Sequence, residues 1–134
     1  MYMLDTNIVS AVIRGRSDVD RRLIALDPSD WCVSVVTEAE LLYGLARRPE
    51  ARALARTVKK FLESAQILPW DSAAALEHGK LRARLHEQGK PIGEYDSLIA
   101  AHALATHRIL VTDNVAEFTR VRGLEVENWI ERTG

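Results

Sequence analysis

Tyr2-Met3-Leu4-Asp5-Thr6-Asn7 is a short apolar run that stops at an acid, and apolar residues over 8–13 then predict a short helix ending near Gly15. A second run, Ile109-Leu110-Val111-Thr112, also stops at polar residues, Asp113 and Asn114. In open α/β sheets the binding crevice lies at the carboxyl ends of the strands. The two runs therefore predict a site where their strands end.

Short apolar runs alternate with longer helical patterns along the rest of the chain, which is typical of a parallel sheet covered by helices. The strands are predicted at Tyr2–Leu4, Trp31–Val35, Ile67–Trp70 and Ile109–Thr112, with a fifth, weaker pattern at Leu124–Val126. We therefore predict an α/β fold.

Helix signals fill the intervals between these strands. Thr37-Glu38-Ala39-Glu40 is a capping-box pattern and predicts the start of a helix that ends at Arg47-Arg48-Pro49. Asp71 is the predicted N-cap of a long helix reaching Gln88 and closed by Gly89. Further helices are predicted over residues 17–26, 50–64 and 94–106.

Length and composition limit the class of protein. The 134 residues fit a single domain, spanning 1–134, and 18 basic residues against 19 acidic ones give a formal net charge of −1. The basic footprint of an obvious nucleic-acid binder is therefore absent. Cys32, alone and within an apolar run, predicts a buried, inert thiol. No leader pattern or long apolar segment is visible, so we expect a soluble, cytoplasmic protein without a membrane segment.

Several catalytic classes lack their motifs. The sequence contains no Gly-x-Gly-x-x-Gly, no phosphate-binding loop ending in Lys-Ser or Lys-Thr, and no Gly-x-Ser-x-Gly. The four histidines lack the spacing of a zinc hydrolase and are expected on helix surfaces or lining grooves: His78, His86, His102 and His107.

Carboxylates remain, and three of them adjoin apolar sequence: Asp5, Glu40 and Asp96. A buried carboxylate needs a partner, a proton or a metal. Each also has a structural explanation. Asp5 could N-cap the first helix, Glu40 could complete the capping box with Thr37, and Asp96 would be favoured by the helix dipole in a first turn. Asp113 could belong to a turn, so none of these acids is decisive alone.

Their combination is specific. Asp5-Thr6-Asn7 is followed in order by residues 39–44, 92–103, 111–114, 117–124 and 127–129. Taken together these segments make the chain, from Met3 to Trp129, resemble PIN domains, and among them the VapC toxins of bacterial toxin–antitoxin pairs. The resemblance implies an α/β/α sandwich with a parallel sheet of about five strands.

The resemblance also implies a magnesium-dependent endoribonuclease, with Mn²⁺ able to substitute. Asp5, Glu40 and Asp96 match three acids of the family, Asp5 and Asp96 being expected to hold the metal and Glu40 to act through water or as a general base. The family pattern Thr-x-Asp or Thr-x-Asn places Asn114 on the matching position, yet Asp113 stays the candidate for a fourth catalytic acid. Three residues are expected to orient acids or waters: Thr6, Thr112 and Asn114.

Substrate and partners follow from the same resemblance. Pro91-x-Gly93-x-Tyr95-Asp96 and the 117–129 segment look most like the branch that cleaves initiator tRNA in its anticodon loop and so inhibits translation. Glu94 departs from that branch, which usually has proline or another neutral residue there. A cognate VapB-type antitoxin is implied, with its C-terminal segment in a groove over the site, together with a homodimer and contact with operator DNA only through the antitoxin.

Two alternatives of other classes stay open. The first is an acidic-pocket phosphatase or receiver-like domain, although Thr6-Asn7 follows Asp5 where those classes need a further acid, and no lysine follows Lys90. The second is a non-catalytic PIN-like protein-binding module that keeps its acids only as helix caps.

Overall fold

A five-stranded, all-parallel sheet forms the centre of the computed structural model, which describes residues 1–132. The strands are β1 (Tyr2–Leu4), β2 (Trp31–Ser34), β3 (Ile67–Leu68), β4 (Ile109–Val111) and β5 (Val126–Glu127), in the order β3-β2-β1-β4-β5. The predicted α/β fold with a parallel sheet of about five strands is confirmed. The fifth strand begins two residues later than the sequence pattern suggests.

Residues 1–132 contain seven α-helices and a 3-10 turn at Pro28–Asp30. The α-helices are α1 (Thr6–Ile13), α2 (Ser17–Ile24), α3 (Val35–Ala46), α4 (Arg52–Ser64), α5 (Ser72–Glu87), α6 (Glu94–Ala105) and α7 (Val115–Phe118). The Asp71 carboxylate caps α5 as predicted, accepting from the Ala74 N–H at 3.1 Å. Gly89 follows with a φ of +66°, a left-handed conformation that glycine adopts without strain. The four residues of α7 are too few to give a periodic signal, and the sequence did not predict this helix.

Alternate strand side chains point to opposite faces of the sheet, and each face carries one apolar layer. Leu4, Val33 and Val111 pack with residues of α1, α3 and α4 on one face. Met3, Cys32 and Leu110 pack with residues of α5, α6 and α7 on the other. The result is the expected α/β/α sandwich. Burial raises the pKa of the Cys32 thiol to about 11, which agrees with the predicted inert thiol.

Two local predictions are wrong. Helix α3 begins at Val35 because the Ser34 hydroxyl caps it, accepting from the Val36 N–H at 3.0 Å, so Thr37 and Glu40 do not form a capping box. His102 is buried rather than superficial, at 1% exposure. Its Nδ1 lies 2.7 Å from the same Ser34 hydroxyl, and this hydrogen bond offsets the cost of burying a polar ring nitrogen.

The strand order places the crevice. The chain runs outward from β1 through β2 to β3, and then crosses to the other side of β1 to form β4 and β5. The order therefore reverses between β1 and β4, where ligands bind in open α/β sheets. Leu4 pairs with Val111, so the residues after these two strands, Asp5 and Thr112, are neighbours. None of the helices in residues 1–132 is long and apolar enough to cross a membrane.

Candidate active site

Asp5 is the most constrained acid of the crevice, at 4% exposure. One carboxylate oxygen accepts from the Thr6 N–H at 2.8 Å, as an N-cap of α1, and the other accepts from the Thr112 hydroxyl at 2.7 Å. The Thr112 oxygen in turn accepts from the N–H of Asn114 at 3.0 Å and the amide of Asn7 at 3.3 Å. The capping explanation is thus correct, and the cap points its carboxylate into the crevice.

Glu40 reaches the same place from α3. Its carboxylate accepts from the Thr6 hydroxyl at 2.8 Å, so Thr6 holds Asp5 through its backbone and Glu40 through its side chain. Glu40 and Asp5 are close enough for the Glu40 charge to raise the pKa of Asp5. The sequence left two interpretations of Glu40 open, a site acid or half of a capping box. Across residues 1–132 the structure shows no capping hydrogen bond from Glu40 and places its carboxylate near Asp5.

Asp96 lies in the first turn of α6, as predicted, and Glu117 approaches it from α7. The Glu117 carboxylate accepts from the Gly93 N–H at 2.8 Å and from the Asn114 amide. A Cβ atom on Gly93 would lie 3.3 Å from Asp96 Oδ2 and 3.7 Å from Glu117 Oε1. The absence of a side chain at Gly93 therefore leaves room for two carboxylates side by side.

Burial and repulsion between carboxylates raise the pKa values of Asp5 and Asp96. Burial, together with the charges of Asp5, Glu117 and Glu40, raises the pKa of Asp96 to about 7. Burial also raises the pKa of Asp5 against the opposing hydrogen bonds from Thr112 and Thr6. A proton held by Asp96 therefore reduces the repulsion between its carboxylate and that of Glu117. A cation would replace that proton.

Asp113 turns away from this cluster. Its two carboxylate oxygens pair with the two terminal nitrogens of Arg132, with 2.7 Å between Oδ2 and Nη2. The carboxylate also accepts from the Asn128 amide at 3.1 Å. The hydrogen bond and the charge of the Arg132 guanidinium lower the pKa of Asp113, whereas the pKa values of Asp5 and Asp96 are raised. The structure therefore brings together Asp5, Glu40 and Asp96 but not Asp113, whose catalytic role stays a prediction.

Whether the cluster suits a divalent cation depends on its donor atoms. Within residues 1–132, no group of three acidic, histidine or cysteine side chains is arranged, as it stands, to hold a metal ion. The fit rests instead on hard carboxylate oxygens that repel one another and on the absence of a side chain at Gly93, where a Cβ atom would crowd two of them. Mg²⁺ commonly uses one or two carboxylates and keeps several waters, which matches a pair such as Asp5 and Asp96.

Comparison with known proteins now gives the family. Residues 2–124 match the PIN domain family. The tRNA(fMet)-specific endonuclease VapC of Shigella flexneri is 38% identical over 128 residues, which cover 96% of this chain and 97% of that protein. The chain belongs to the VapC ribonucleases of the PIN domain family.

Further relatives agree. Ribonuclease VapC2 of Haemophilus influenzae is 40% identical over 129 residues, covering 96% of this chain and 98% of that protein. The crystal structure of VapBC2 from Rickettsia felis bound to a promoter DNA fragment matches with a TM-score of 0.90 and 32% identity, over 96% of this chain and 98% of that one. The predicted family is confirmed, and the phosphatase, receiver and non-catalytic alternatives are set aside.

Of the four clustered acids, Asp5, Glu40, Asp96 and Glu117, the last was not predicted from the sequence. Glu117 belongs to a segment that carried the resemblance, but no local pattern marks its carboxylate. The only sequence signal for it is its spacing from Asn114, because residues three positions apart lie on the same face of a helix. Asn114 does face the cluster through Glu117, and Thr112 faces it through Asp5.

A groove of about 390 Å³ leads away from the VapC-family cluster on the α1, α3 and α4 side. Thr6 and Glu40 form its inner end, and Leu41, Leu45 and Leu54 form apolar walls. The groove could hold an extended apolar segment of another chain whose end reaches the acids.

Proposed function

We propose that this VapC-family ribonuclease is a toxin that cleaves RNA at the cluster of Asp5, Glu40, Asp96 and Glu117, using Mg²⁺, with Mn²⁺ as a substitute. The raised pKa of Asp96 carries the proposal, because crowded carboxylates in a crevice are unfavourable unless a cation joins them. When bound, the metal would supply a Lewis acid for the phosphate and lower the pKa of a water molecule.

The roles of the side chains follow from their contacts. Asp5 and Asp96 would hold the metal, Asp5 in an orientation fixed by Thr6 and Thr112. Glu40, whose carboxylate is oriented by the Thr6 hydroxyl, would accept a proton from the attacking water. Glu117, which accepts from the Gly93 N–H, would hold the turn that carries Asp96 and add negative charge beside the metal.

We infer that the RNA is a tRNA, in the first instance initiator tRNA cut in its anticodon loop, with inhibition of translation in the cytoplasm as the result. Two similar proteins, from Shigella flexneri and Salmonella typhimurium, bear the name tRNA(fMet)-specific endonuclease. The Gly93-to-Asp96 segment that suggested this branch forms one wall of the cluster. Sequencing of RNA ends after expression tests the target, and cuts confined to mRNA or rRNA would exclude tRNA.

The partner class is a VapB-type antitoxin. Solved structures similar to this chain include VapBC complexes from Rickettsia felis, Salmonella typhimurium and Haemophilus influenzae, the first two bound to DNA. We propose that the antitoxin C-terminal segment occupies the groove beside Thr6 and Glu40, that operator DNA is contacted through the antitoxin, and that the toxin forms a homodimer. Mass measurement of the purified toxin and of the complex tests both assemblies.

The decisive experiment replaces one metal-holding acid without changing its shape. We expect Asp96→Asn or Asp5→Asn to reduce RNA cleavage by about 100-fold or more and to abolish growth arrest, because the cation that would stabilise the phosphate loses a carboxylate ligand. Glu63→Gln is the matched control, since Glu63 is exposed on α4. Circular dichroism checks that all variants fold. An Asp96→Asn protein that cuts RNA at the wild-type rate would contradict the proposal.

A further inference from the structure

A second cavity lies on the face of the sheet opposite the groove. It has a volume of about 540 Å³ and lies between the later part of α5, the loop after it and the first turn of α6. The side chains that matter for its chemistry are Arg82, Leu85, His86, Ile92, Glu94 and Ser97. Two of them flank Asp96 in the chain, so the cavity and the cluster share one turn of α6.

Hydrogen bonds fix the wall between cavity and cluster. The Ser97 hydroxyl donates to the Glu94 carbonyl at 2.7 Å, and His78 Nε2 lies 3.1 Å from the same hydroxyl oxygen. The hydroxyl proton is already used, so the ring N–H donates to Ser97. The Trp70 ring packs edge-on against His78, with its N–H donating to the Leu98 carbonyl at 2.9 Å. These contacts connect α5 and the loop after β3 to the first turns of α6, which carry Asp96.

The lining combines three chemical characters. Leu85 is buried and Ile92 half-buried, and they give the cavity an apolar floor. Arg82 and His86 are exposed at its rim and present cationic or flat polar groups. Glu94 contributes a carboxylate, which accepts hydrogen bonds and donates none when ionised. Single-stranded RNA bases are recognised by such combinations, stacking on arginine or ring planes and bonding at their edges.

We propose that this cavity binds the base of a nucleotide next to the scissile phosphate, and that Glu94 selects a base with an exocyclic amino group. Cytosine, adenine and guanine offer that donor and uracil does not. The proposal rests on the proposed ribonuclease function and specifies a subsite for its substrate. It also assigns a role to Glu94, where the tRNA-cleaving branch resembled by the sequence usually has a neutral residue.

Binding and cleavage are measured with short single-stranded RNAs that contain the mapped cut site. In an Asp96→Asn background, which is not meant to cleave, Arg82→Ala should weaken binding by about tenfold, the usual range for loss of one stacked base. An RNA lacking the base at the adjoining position should bind about tenfold more weakly than the intact RNA to the protein that retains Arg82. The Arg82→Ala protein should bind the two RNAs equally well. Arg84→Ala is the control, because Arg84 is exposed on α5 outside the cavity lining.

Base selection is tested in the active protein. Glu94→Gln should reduce the preference for cytosine or adenine over uracil at that position, seen mainly in KM. Equal effects of Arg82→Ala and Arg84→Ala, or no effect of removing the base at either adjoining position, would overturn the base-binding cavity. A uniform, salt-sensitive loss with every RNA would also overturn it, since that indicates a phosphate contact. Absence of any cleavage by the wild-type protein would instead contradict the proposed function, while the binding arm still tests the cavity.

Discussion

Asp113 and Glu117 stand four residues apart, yet their carboxylates have opposite surroundings. Arg132 and Asn128 neutralise and hold Asp113. Glu117 accepts from the Gly93 N–H and the Asn114 amide, and its charge contributes to raising the pKa of the buried Asp96. The ion pair with Arg132 keeps the Asp113 carboxylate turned away from the other acids, so it does not face a cation held among them. The fourth carboxylate that lies in the cluster is therefore Glu117, and we propose that Glu117 rather than Asp113 acts there.

The two acids give a direct comparison at the residue scale. We expect Glu117→Gln to lower RNA cleavage by about 10- to 100-fold, because the cluster loses one of the negative charges that would attract the cation. Asp113→Asn should change cleavage by less than about threefold, because it removes a surface ion pair of small energetic value. Initial rates at saturating and low Mg²⁺ distinguish loss of metal affinity from loss of turnover. A strong defect in Asp113→Asn with a mild one in Glu117→Gln would restore the role that the sequence suggested for Asp113.

Residues next to a strand end could be predicted from sequence, whereas Glu117 could not. Asp5 directly follows β1, and Asp96 opens a helix whose pattern is strong, so their places follow from local sequence. Glu117 acquires its place through the direction of a four-residue helix after β4. That direction depends on long-range packing of Phe118, which no window of sequence around it reveals.

At the scale of elements, α7 is anchored mainly by one side chain. Phe118 is fully buried in the layer that contains Leu110 and Val121, while the preceding residue, Glu117, faces the acids. Such an arrangement couples packing to the site. The start of α3 shows the same dependence on tertiary contact, because Ser34 both caps that helix and meets His102, an option the capping-box pattern at Thr37 cannot indicate.

Truncation of Phe118 should therefore harm the site as well as the fold. We expect Phe118→Ala to lower the free energy of unfolding by about 3–5 kcal/mol, as large-to-small changes in a core do. Cleavage at a temperature where the variant is still folded should fall by about tenfold, in line with loss of a group that orients a metal-binding acid. Urea titration and initial rates measure the two effects.

Phe61→Ala is the matched control, because Phe61 is buried in the other apolar layer, against Trp31 on the face that carries α4. It should lose similar stability and keep nearly wild-type cleavage while folded. Equal losses of activity in the two variants would indicate that α7 is not positioned by Phe118 in particular.

For the whole molecule, a net charge of −1 conceals an uneven distribution. Four acids crowd one crevice, whereas six basic side chains lie between residues 47 and 60 on or just before α4.

The alternation of strands and helices, and hence the fold class, can be predicted from the sequence. The strand order cannot, because it depends on which strands pair across the chain, and that order creates the crevice between β1 and β4.

The crowded acids make the stability of the metal-free protein depend on pH in a definite direction. Asp96 has an ordinary pKa of 3.8 and a folded-state pKa of about 7, and the pKa of Asp5 is raised as well. Between these values the folded state binds more protons than the unfolded chain, so the free energy of unfolding falls as pH rises. The contribution is complete below about pH 3.8 and is lost as pH passes through about 7.

Thermal unfolding in a chelating buffer should therefore show the Tm of the wild type falling from pH 5 to pH 8 relative to that of Asp96→Asn. The comparison is needed because His78 and His102, whose pKa values are lowered by burial, act in the opposite direction and are present in both proteins. Adding Mg²⁺ at pH 8 should raise the Tm of the wild type, since a ligand bound only by the folded state stabilises it, and should do much less for Asp96→Asn. A constant difference in Tm between the two proteins across this range would mean that Asp96 is ionised throughout, and that its neighbours do not hold a proton in place of the metal.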